Sequence, residues 1–97
     1  MANVIYLPPA KKFLKKIKDK KMLQAFRVAI EQIAADYTIG EPKTGDLRGI
    51  YGYDVYYDRT NYEISYRVEE VEDTVVIVIM VGTRENFYDA LKRYINA

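Results

Sequence analysis

The segment from Thr74 to Val81 constrains the fold of this chain more than any other. Its sequence, TVVIVIMV, is apolar at every position but the first, which predicts a strand that is apolar on both faces. Such a strand must lie at the centre of a sheet or be covered on both sides. Because one helical layer covers only one face, we expect Val76, Val78 and Met80 to be partly exposed unless a further helix or a partner covers them.

The segments before it predict one short strand and two helices. The strand is expected from Asn3 to Leu7. The pair Pro8-Pro9 ends it, and Pro is also favoured in the first turn of a helix. A short amphipathic helix is expected from Ala10 to about Lys18, and a joint at Asp19-Lys20-Lys21 follows it. A second helix is indicated by apolar residues at spacings of three and four, namely Leu23, Phe26, Ile30, Ile33 and Tyr37. The short joint predicts a helical hairpin laid against a sheet.

The second half of the chain predicts strands followed by a helix. After the turn-rich loop Ile39 to Asp46, the apolar period changes to two, which is typical of strands, over Tyr51 to Tyr57 and Tyr62 to Val68. Asn86 to Ile95 then predicts a last helix. The order is βααβββα, an α+β fold in which an antiparallel sheet packs against a helical hairpin and carries a C-terminal helix. We expect residues 1–97 to form a single domain.

The composition excludes several classes of function. The chain contains no Cys and no His, which excludes thiolate nucleophiles, zinc sites built from these residues, imidazole bases and disulfides. The acidic run Glu69 to Asp73 falls in a predicted turn and indicates solvated charges, so we expect no metal and no cofactor. The longest apolar run is too short to span a bilayer and no signal peptide opens the chain. We therefore expect a soluble cytoplasmic protein that does not contact membranes.

The net charge of +1 conceals an asymmetry along the chain. Residues 1–48 carry ten Lys and Arg against five Asp and Glu, whereas residues 49–97 carry five against nine. The first half is suited to an anionic partner such as RNA, and equally to an ordinary solvated face. Its candidate RNA-binding residues are the lysines of the first predicted helix and joint, Lys11, Lys12, Lys15, Lys16 and Lys18.

Three short segments carry the functional signal. They are Leu47-Arg48-Gly49, then Tyr62-Glu63-Ile64-Ser65-Tyr66, then Val81-Gly82-Thr83-Arg84 followed by Tyr88. Their order on a βααβββα frame resembles the RelE/ParE superfamily, the small bacterial toxins of type II toxin–antitoxin systems. The resemblance covers nearly the whole chain.

The resemblance implies a toxin with a cognate antitoxin and leaves its target open. Members similar to RelE enter the ribosomal A site and cut messenger RNA, and members similar to ParE block DNA gyrase without nuclease chemistry. We expect a ribosome-dependent messenger RNA endoribonuclease that inhibits translation. The alternatives are a non-catalytic gyrase inhibitor and a divergent member that binds only its antitoxin.

The resemblance also implies roles for individual residues. Arg84 corresponds to the phosphate clamp at the end of the last strand, and Tyr88 to a base-stacking or proton-handling group. By strand alternation, Arg67 is expected to line the same open surface as Arg84 and Tyr88. Arg48, on a flanking loop, is a further RNA-binding candidate. The structural alternatives are a rim cation paired with Glu85 or Asp89 for Arg84 and helix packing beside Phe87 for Tyr88.

Two positions depart from the pattern of the family. Glu63 stands where nuclease members carry Arg, and Asp54 lies on the strand where active relatives place Lys or Arg. By alternation both carboxylates lie on the surface expected to bind RNA, where they repel phosphate. Either Glu63 acts as a carboxylate base together with Arg84, or the chain does not cut RNA.

Overall fold

A five-stranded sheet with helices on both faces is formed by residues 2–97, the part of the chain that this computed structural model describes. In chain order the elements are β1 (Asn3–Tyr6), α1 (Pro8–Lys15), α2 (Lys20–Ala35), β2 (Glu41–Pro42), β3 (Tyr51–Tyr57), β4 (Thr60–Glu70), β5 (Thr74–Thr83) and α3 (Phe87–Ile95). The strand order is β1-β5-β4-β3-β2, with β1 parallel to β5 and the other neighbours antiparallel. None of the helices within residues 2–97 has the length and apolar character needed to cross a membrane.

The α+β fold and the order of elements predicted from the sequence are confirmed. β5 lies between β1 and β4, as its apolar composition requires. The periodicity missed β2, which is only two residues long and lies at the sheet edge inside the predicted loop. A strand this short is too brief to show an alternating pattern.

The joint between the first two helices differs from the prediction. α1 ends at Lys15, three residues early. The carboxylate of Asp19 accepts hydrogen bonds from the backbone N–H groups of Lys21 at 2.9 Å and Met22 at 3.2 Å, so it caps α2. The second helix therefore begins directly after Asp19, and Lys18 lies in the joint rather than on α1.

α1 and α2 cover one face of the sheet, called here the hairpin face. The buried residues that meet there include Ala10, Phe26, Ile30, Ile33, Val55, Ile64, Tyr66, Val76 and Val78. The Phe26 ring packs edge-on against Phe13 and Tyr62, with ring centroids 5.9 and 5.4 Å apart. Removal of this apolar surface from water holds the helices on the sheet.

The apolar strand β5 presents side chains to both faces of the sheet by alternation. Tyr66 pairs with Val78 and Ser65 with Met80, so Ile79 has no partner on β4. The expectation that Val76, Val78 and Met80 share one partly exposed face is wrong, because the two valines are fully buried on the hairpin face and Met80 packs, half-buried, on the other side. That other side, called here the α3 face, is covered by Leu47, Ile50, Phe87 and Leu91 around Ile79.

A buried tyrosine ties the segment after α2 to the sheet. Tyr66 is fully buried, and its hydroxyl donates a hydrogen bond to the Tyr37 carbonyl at 2.6 Å. The same oxygen accepts a hydrogen bond from the Gly40 backbone N–H at 3.0 Å. The chain passes so close to this hydroxyl at Gly40 that only a residue without a side chain fits.

Replacing Gly40 with alanine is expected to destabilise the protein. The added Cβ would lie 2.1 Å from the Tyr66 hydroxyl oxygen, so the segment must move and the buried hydrogen bonds are lost. We expect the free energy of unfolding, measured by urea titration, to fall by about 2–4 kcal/mol. Gly82→Ala is the matched control, since its Cβ meets only the Phe87 ring at 3.5 Å. Equal stability of the two variants would contradict this account.

Candidate functional site

A polar cleft of about 210 Å³ opens on the α3 face of the sheet. Its lining comes from β3, β4, the segments around β2 and the end of β5, and consists of Ile39, Glu41, Lys43, Gly52, Tyr53, Asp54, Glu63 and Arg84. Tyr88 reaches it from α3 through a hydrogen bond to Glu63. Three residues predicted as catalytic, Glu63, Arg84 and Tyr88, are thus brought together.

Glu63 is the buried acid of the cleft. It lies on β4 between Asp54 of β3 and Gly82 of β5, and only 2% of its surface is exposed. The Tyr88 hydroxyl donates a hydrogen bond to its Oε2 atom at 2.9 Å. Burial first, and then the neighbouring Asp54 carboxyl, raise the pKa of Glu63 to about 7, although the bond from Tyr88 and the charge of Lys43 oppose this. A carboxyl group with this pKa can take up a proton near neutral pH.

Gly52 forms the floor beneath the cluster. A Cβ atom placed there would lie 2.8 Å from the Tyr88 hydroxyl oxygen, 2.8 Å from Lys43 Cε and 3.0 Å from Glu63 Oε2. The three functional side chains therefore converge on the space that a glycine leaves empty. Any larger residue at this position would separate them.

Lys43 is a cation of the cleft that the sequence analysis missed. Its Nζ atom lies 2.8 Å from Glu41 Oε1 and 4.8 Å from the centroid of the Tyr88 ring. Burial lowers the pKa of Lys43, but its interactions with Glu41 and Tyr88 outweigh burial and raise the pKa to about 12. No periodic pattern marks Lys43, because it stands in an irregular loop and reaches the cleft only through the pairing of β2 with β3.

Arg84 stands at the rim, directly after β5. Its backbone N–H donates to the Asn61 carbonyl at 3.1 Å, which fixes the main chain. Its guanidinium lies 3.6 Å from Asp54 Oδ2, and both side chains are more than half exposed. The structural alternative of a cation paired with an adjacent acid thus takes the form of a pair with Asp54. An exposed pair of this kind contributes little to stability and leaves Arg84 able to turn toward a ligand.

Tyr88 connects α3 to the sheet through its hydroxyl and its ring. Besides its bond to Glu63, its ring packs edge-on against Phe87, with centroids 5.2 Å apart. Burial raises the pKa of the Tyr88 hydroxyl, the charge of Lys43 lowers it, and Glu63 raises it further, with a net upward shift. The Tyr88 hydroxyl therefore stays protonated at neutral pH. As the donor of the hydrogen bond to Glu63, it orients the carboxyl group.

Arg67 and Arg48 do not line this cleft. Arg67 lies four residues beyond Glu63 on the same strand, which is about 13 Å along β4. It forms an ion pair with Glu69 and, together with Arg48, lines a separate groove near Tyr94 at the end of α3. The structure therefore does not bring Arg67 to the cleft of Glu63, Arg84 and Tyr88, although strand alternation places Arg67 and Glu63 on the same face.

The predicted RNA-binding lysines lie on the opposite side of the molecule from the cleft. α1 packs on the hairpin face, and the side chains of Lys11, Lys12, Lys15 and Lys16 are exposed to solvent there. Lys18, in the joint, is exposed as well. The lysines and the cleft are thus two separate surfaces, with the sheet between them.

Comparisons with known proteins agree with this fold. The family model described as ParE-like toxin of type II bacterial toxin–antitoxin system matches residues 4–92. An arginine-to-alanine double mutant of the E. coli toxin RelE in the free state is 23% identical, over 96% of this chain and 98% of that chain, with a TM-score of 0.70. The RelBE2 toxin–antitoxin complex from Mycobacterium tuberculosis contains a chain 22% identical over 86% of this chain and 98% of its own, with a TM-score of 0.55. No curated protein matches significantly.

The raised pKa of Glu63 predicts a specific dependence of stability on pH. Because its pKa is about 7 in the folded chain and ordinarily 4.5, its contribution is complete below 4.5 and is lost as the pH rises through about 7. The loss should be on the order of 1–3 kcal/mol in the free energy of unfolding. Glu63→Gln should abolish this component, measured by urea titration from pH 4 to 8.

Glu72→Gln is the matched control, because Glu72 is exposed in the turn between β4 and β5. It should retain the pH dependence of the wild type. Identical pH profiles for the wild type and Glu63→Gln would show that Glu63 ionises normally.

Proposed function

This chain belongs to the ParE-like toxins of type II bacterial toxin–antitoxin systems, and on that premise we propose that it is an endoribonuclease that cuts messenger RNA and so inhibits translation. The observation that carries the proposal is the buried Glu63 carboxyl. It is oriented by Tyr88 and lies in the same cleft as the cation Arg84. A base held beside a cation is the minimum that RNA cleavage by internal transfer requires.

The proposed reaction uses the 2′-hydroxyl of the RNA as nucleophile. The Glu63 carboxylate takes the proton of this hydroxyl, and the 2′ oxygen forms a bond to the adjacent phosphorus. The bond from phosphorus to the 5′ oxygen of the next nucleotide breaks with its electron pair, and this oxygen takes a proton from water. The products are a 2′,3′-cyclic phosphate and a free 5′-hydroxyl.

The other residues of the cleft support this step. Arg84 is exposed enough to leave Asp54 and to hold two oxygens of the phosphate with its planar guanidinium. Tyr88 holds the Glu63 carboxyl in one orientation. Its hydrogen bond also favours the charged form of the base, since the bond opposes the rise in the pKa of Glu63.

The proposed partners follow from the family and from the charge distribution. A type II system implies a cognate antitoxin, and a nuclease of this kind implies ribosome-bound messenger RNA as the substrate. The exposed lysines of the hairpin face and joint would contact ribosomal RNA while the cleft meets the messenger. Arg48, in the groove near Tyr94, would be a separate RNA contact. In this arrangement one surface docks the toxin and another performs the chemistry.

Replacing Glu63 with glutamine is expected to remove the base and preserve the shape of the site. The cleavage rate on messenger RNA in the presence of ribosomes should fall about 10²–10⁴-fold. The wild-type rate should rise with pH up to about 7 and then level off, since the carboxyl must be ionised. Glu72→Gln is the charge-matched control and should cleave normally. A Glu63→Gln variant that cleaves at the wild-type rate would eliminate Glu63 as the base.

The carboxylates of the cleft favour a second candidate function, inhibition of DNA gyrase without catalysis. Asp54 and Glu41 accompany Glu63, and Arg84 is already paired with Asp54, so the cleft repels phosphate more than a typical nuclease site. Induced expression in bacteria separates the two functions when growth and transcript integrity are recorded together. Growth arrest with intact transcripts and inhibited DNA supercoiling would favour gyrase.

The lysine surface makes its own prediction about salt. If the lysines contact RNA phosphates, the binding constant for ribosomes falls as the salt concentration rises. In a plot of log binding constant against log salt concentration, each neutralised phosphate contributes a slope of roughly −0.7 to −0.9. Replacing Lys11, Lys12 and Lys15 together with Glu should flatten that dependence and leave the fold intact. A salt dependence equal to that of the wild type would mean that these side chains contact only water.

A further inference from the structure

We propose that Lys43 is a further catalytic residue of the cleft, whose ammonium group stabilises the negative charge that develops on the RNA phosphate as the 2′ oxygen attacks. The inference rests on the ribonuclease function proposed above. It adds a residue that comes from outside the strands that carry Glu63 and Asp54. Lys43 stands in the loop between β2 and β3 and enters the cleft from the side.

The side chain of Lys43 is held in place before any ligand binds. Only 20% of it is exposed. Its Nζ atom lies 4.8 Å from the Tyr88 ring centroid, within the range of a cation–π interaction. Its Cε atom lies over Gly52, and its backbone N–H donates to the Ile50 carbonyl at 2.8 Å. A cation fixed in this way does not have to reorganise when charge develops beside it.

The position of Lys43 places its charge next to the proposed base. The Lys43 Cε and Glu63 Oε2 atoms converge over Gly52, at 2.8 and 3.0 Å from the point where a Cβ atom on Gly52 would stand. A phosphate whose neighbouring 2′-hydroxyl contacts Glu63 therefore has the Lys43 ammonium within reach. Arg84 stands at the rim of the same cleft, so the two cations can contact one phosphate together.

The present partner of Lys43 is one that a substrate can displace. Glu41 lies 2.8 Å from Nζ, but 76% of its side chain is exposed, whereas Lys43 is mostly buried. Because the Glu41 end of the pair is solvated, exchange of Glu41 for a phosphate oxygen costs little. Glu41 keeps the lysine charged and oriented in the free protein and leaves its ammonium available to RNA.

Lys43 also balances a deficit of positive charge. The strand positions opposite each other in the cleft, Asp54 and Glu63, are both acidic. Without Lys43, Arg84 would be the only cation among the residues that line the cleft. The loop thus supplies the charge that the strands do not, over a glycine whose missing side chain leaves room for the Lys43 stem.

The test replaces Lys43 with methionine, which keeps the apolar stem over Gly52 and the Tyr88 ring and removes the charge. The cleavage rate at saturating messenger RNA and ribosomes should fall about 10²–10³-fold, as for other preorganised charges. Lys92→Met is the matched control, because Lys92 is exposed in the last turn of α3 and is not among the residues that line the cleft. It should cleave at the wild-type rate.

A second measurement does not depend on cleavage. The charge of Lys43 lowers the pKa of Glu63, so Lys43→Met should move the pH midpoint of the stability component assigned to Glu63 upward, and Lys92→Met should not move it. An unchanged midpoint would mean that the Lys43 ammonium lies too far from Glu63 for both to act on one nucleotide, and would overturn the inference.

The outcomes separate this inference from the function on which it rests. A Lys43→Met variant that cleaves slowly, and whose stability component from Glu63 has a higher pH midpoint, supports the catalytic role of Lys43. A folded Lys43→Met variant that cleaves as fast as the wild type overturns the role of Lys43 and leaves the ribonuclease proposal standing. A wild-type chain that cuts no messenger RNA overturns both, whatever the midpoint.

Discussion

Both faces of β5 are removed from water, and the remaining architecture follows from that requirement. The hairpin of α1 and α2 covers Val76 and Val78, while α3 and the loop before β3 cover Ile79. The unpaired Ile79 lies with Met80 in the α3 layer and gives α3 a surface on which to dock. Docking of α3 through Phe87 and Leu91 then brings the neighbouring Tyr88 to the cleft. The site is therefore a consequence of how the central strand is buried.

The burial of Glu63 shows the conflict between stability and function at this site. An ionised carboxylate is costly to remove from water, and Asp54 beside it adds repulsion, so the folded chain favours the protonated form up to about pH 7. A Tyr88 hydroxyl and a Lys43 ammonium reduce that cost without cancelling it. A buried acid retained at a destabilising position is typical of a site under selection for chemistry or binding. The same physics that weakens the fold at neutral pH makes the group useful as a base.

The sequence predicted the fold well because apolar periodicity is a local property. The apolar stripe that ends at Ile33 and the strand Thr74–Val81 each indicate, by the position of their apolar residues, which faces must be buried against other elements. The site was predicted in part, since Glu63, Arg84 and Tyr88 do meet at one cleft. Lys43, in contrast, depends on the pairing of a two-residue edge strand. The separation of Arg67 from the cleft has another origin, because its four-residue spacing from Glu63 on one strand already sets them about 13 Å apart, whereas alternation reports only the shared face.

Under the proposed function, the two charged surfaces of the molecule would act at different stages of RNA binding. The lysines of α1 lie on the far side of a sheet and one helical layer, and sheet and layer spacings near 10 Å place them about one Debye length or more from the cleft at physiological salt. Their field would therefore speed the capture of an anionic partner and contribute little at the reacting phosphate. The proposed chemistry would rely on the two cations that line the cleft, Lys43 and Arg84. An acidic cleft with two cations would reject loosely bound RNA and admit a phosphate that is held in place by contacts elsewhere. That selectivity suits a toxin that acts on messenger RNA only after a larger partner has presented it.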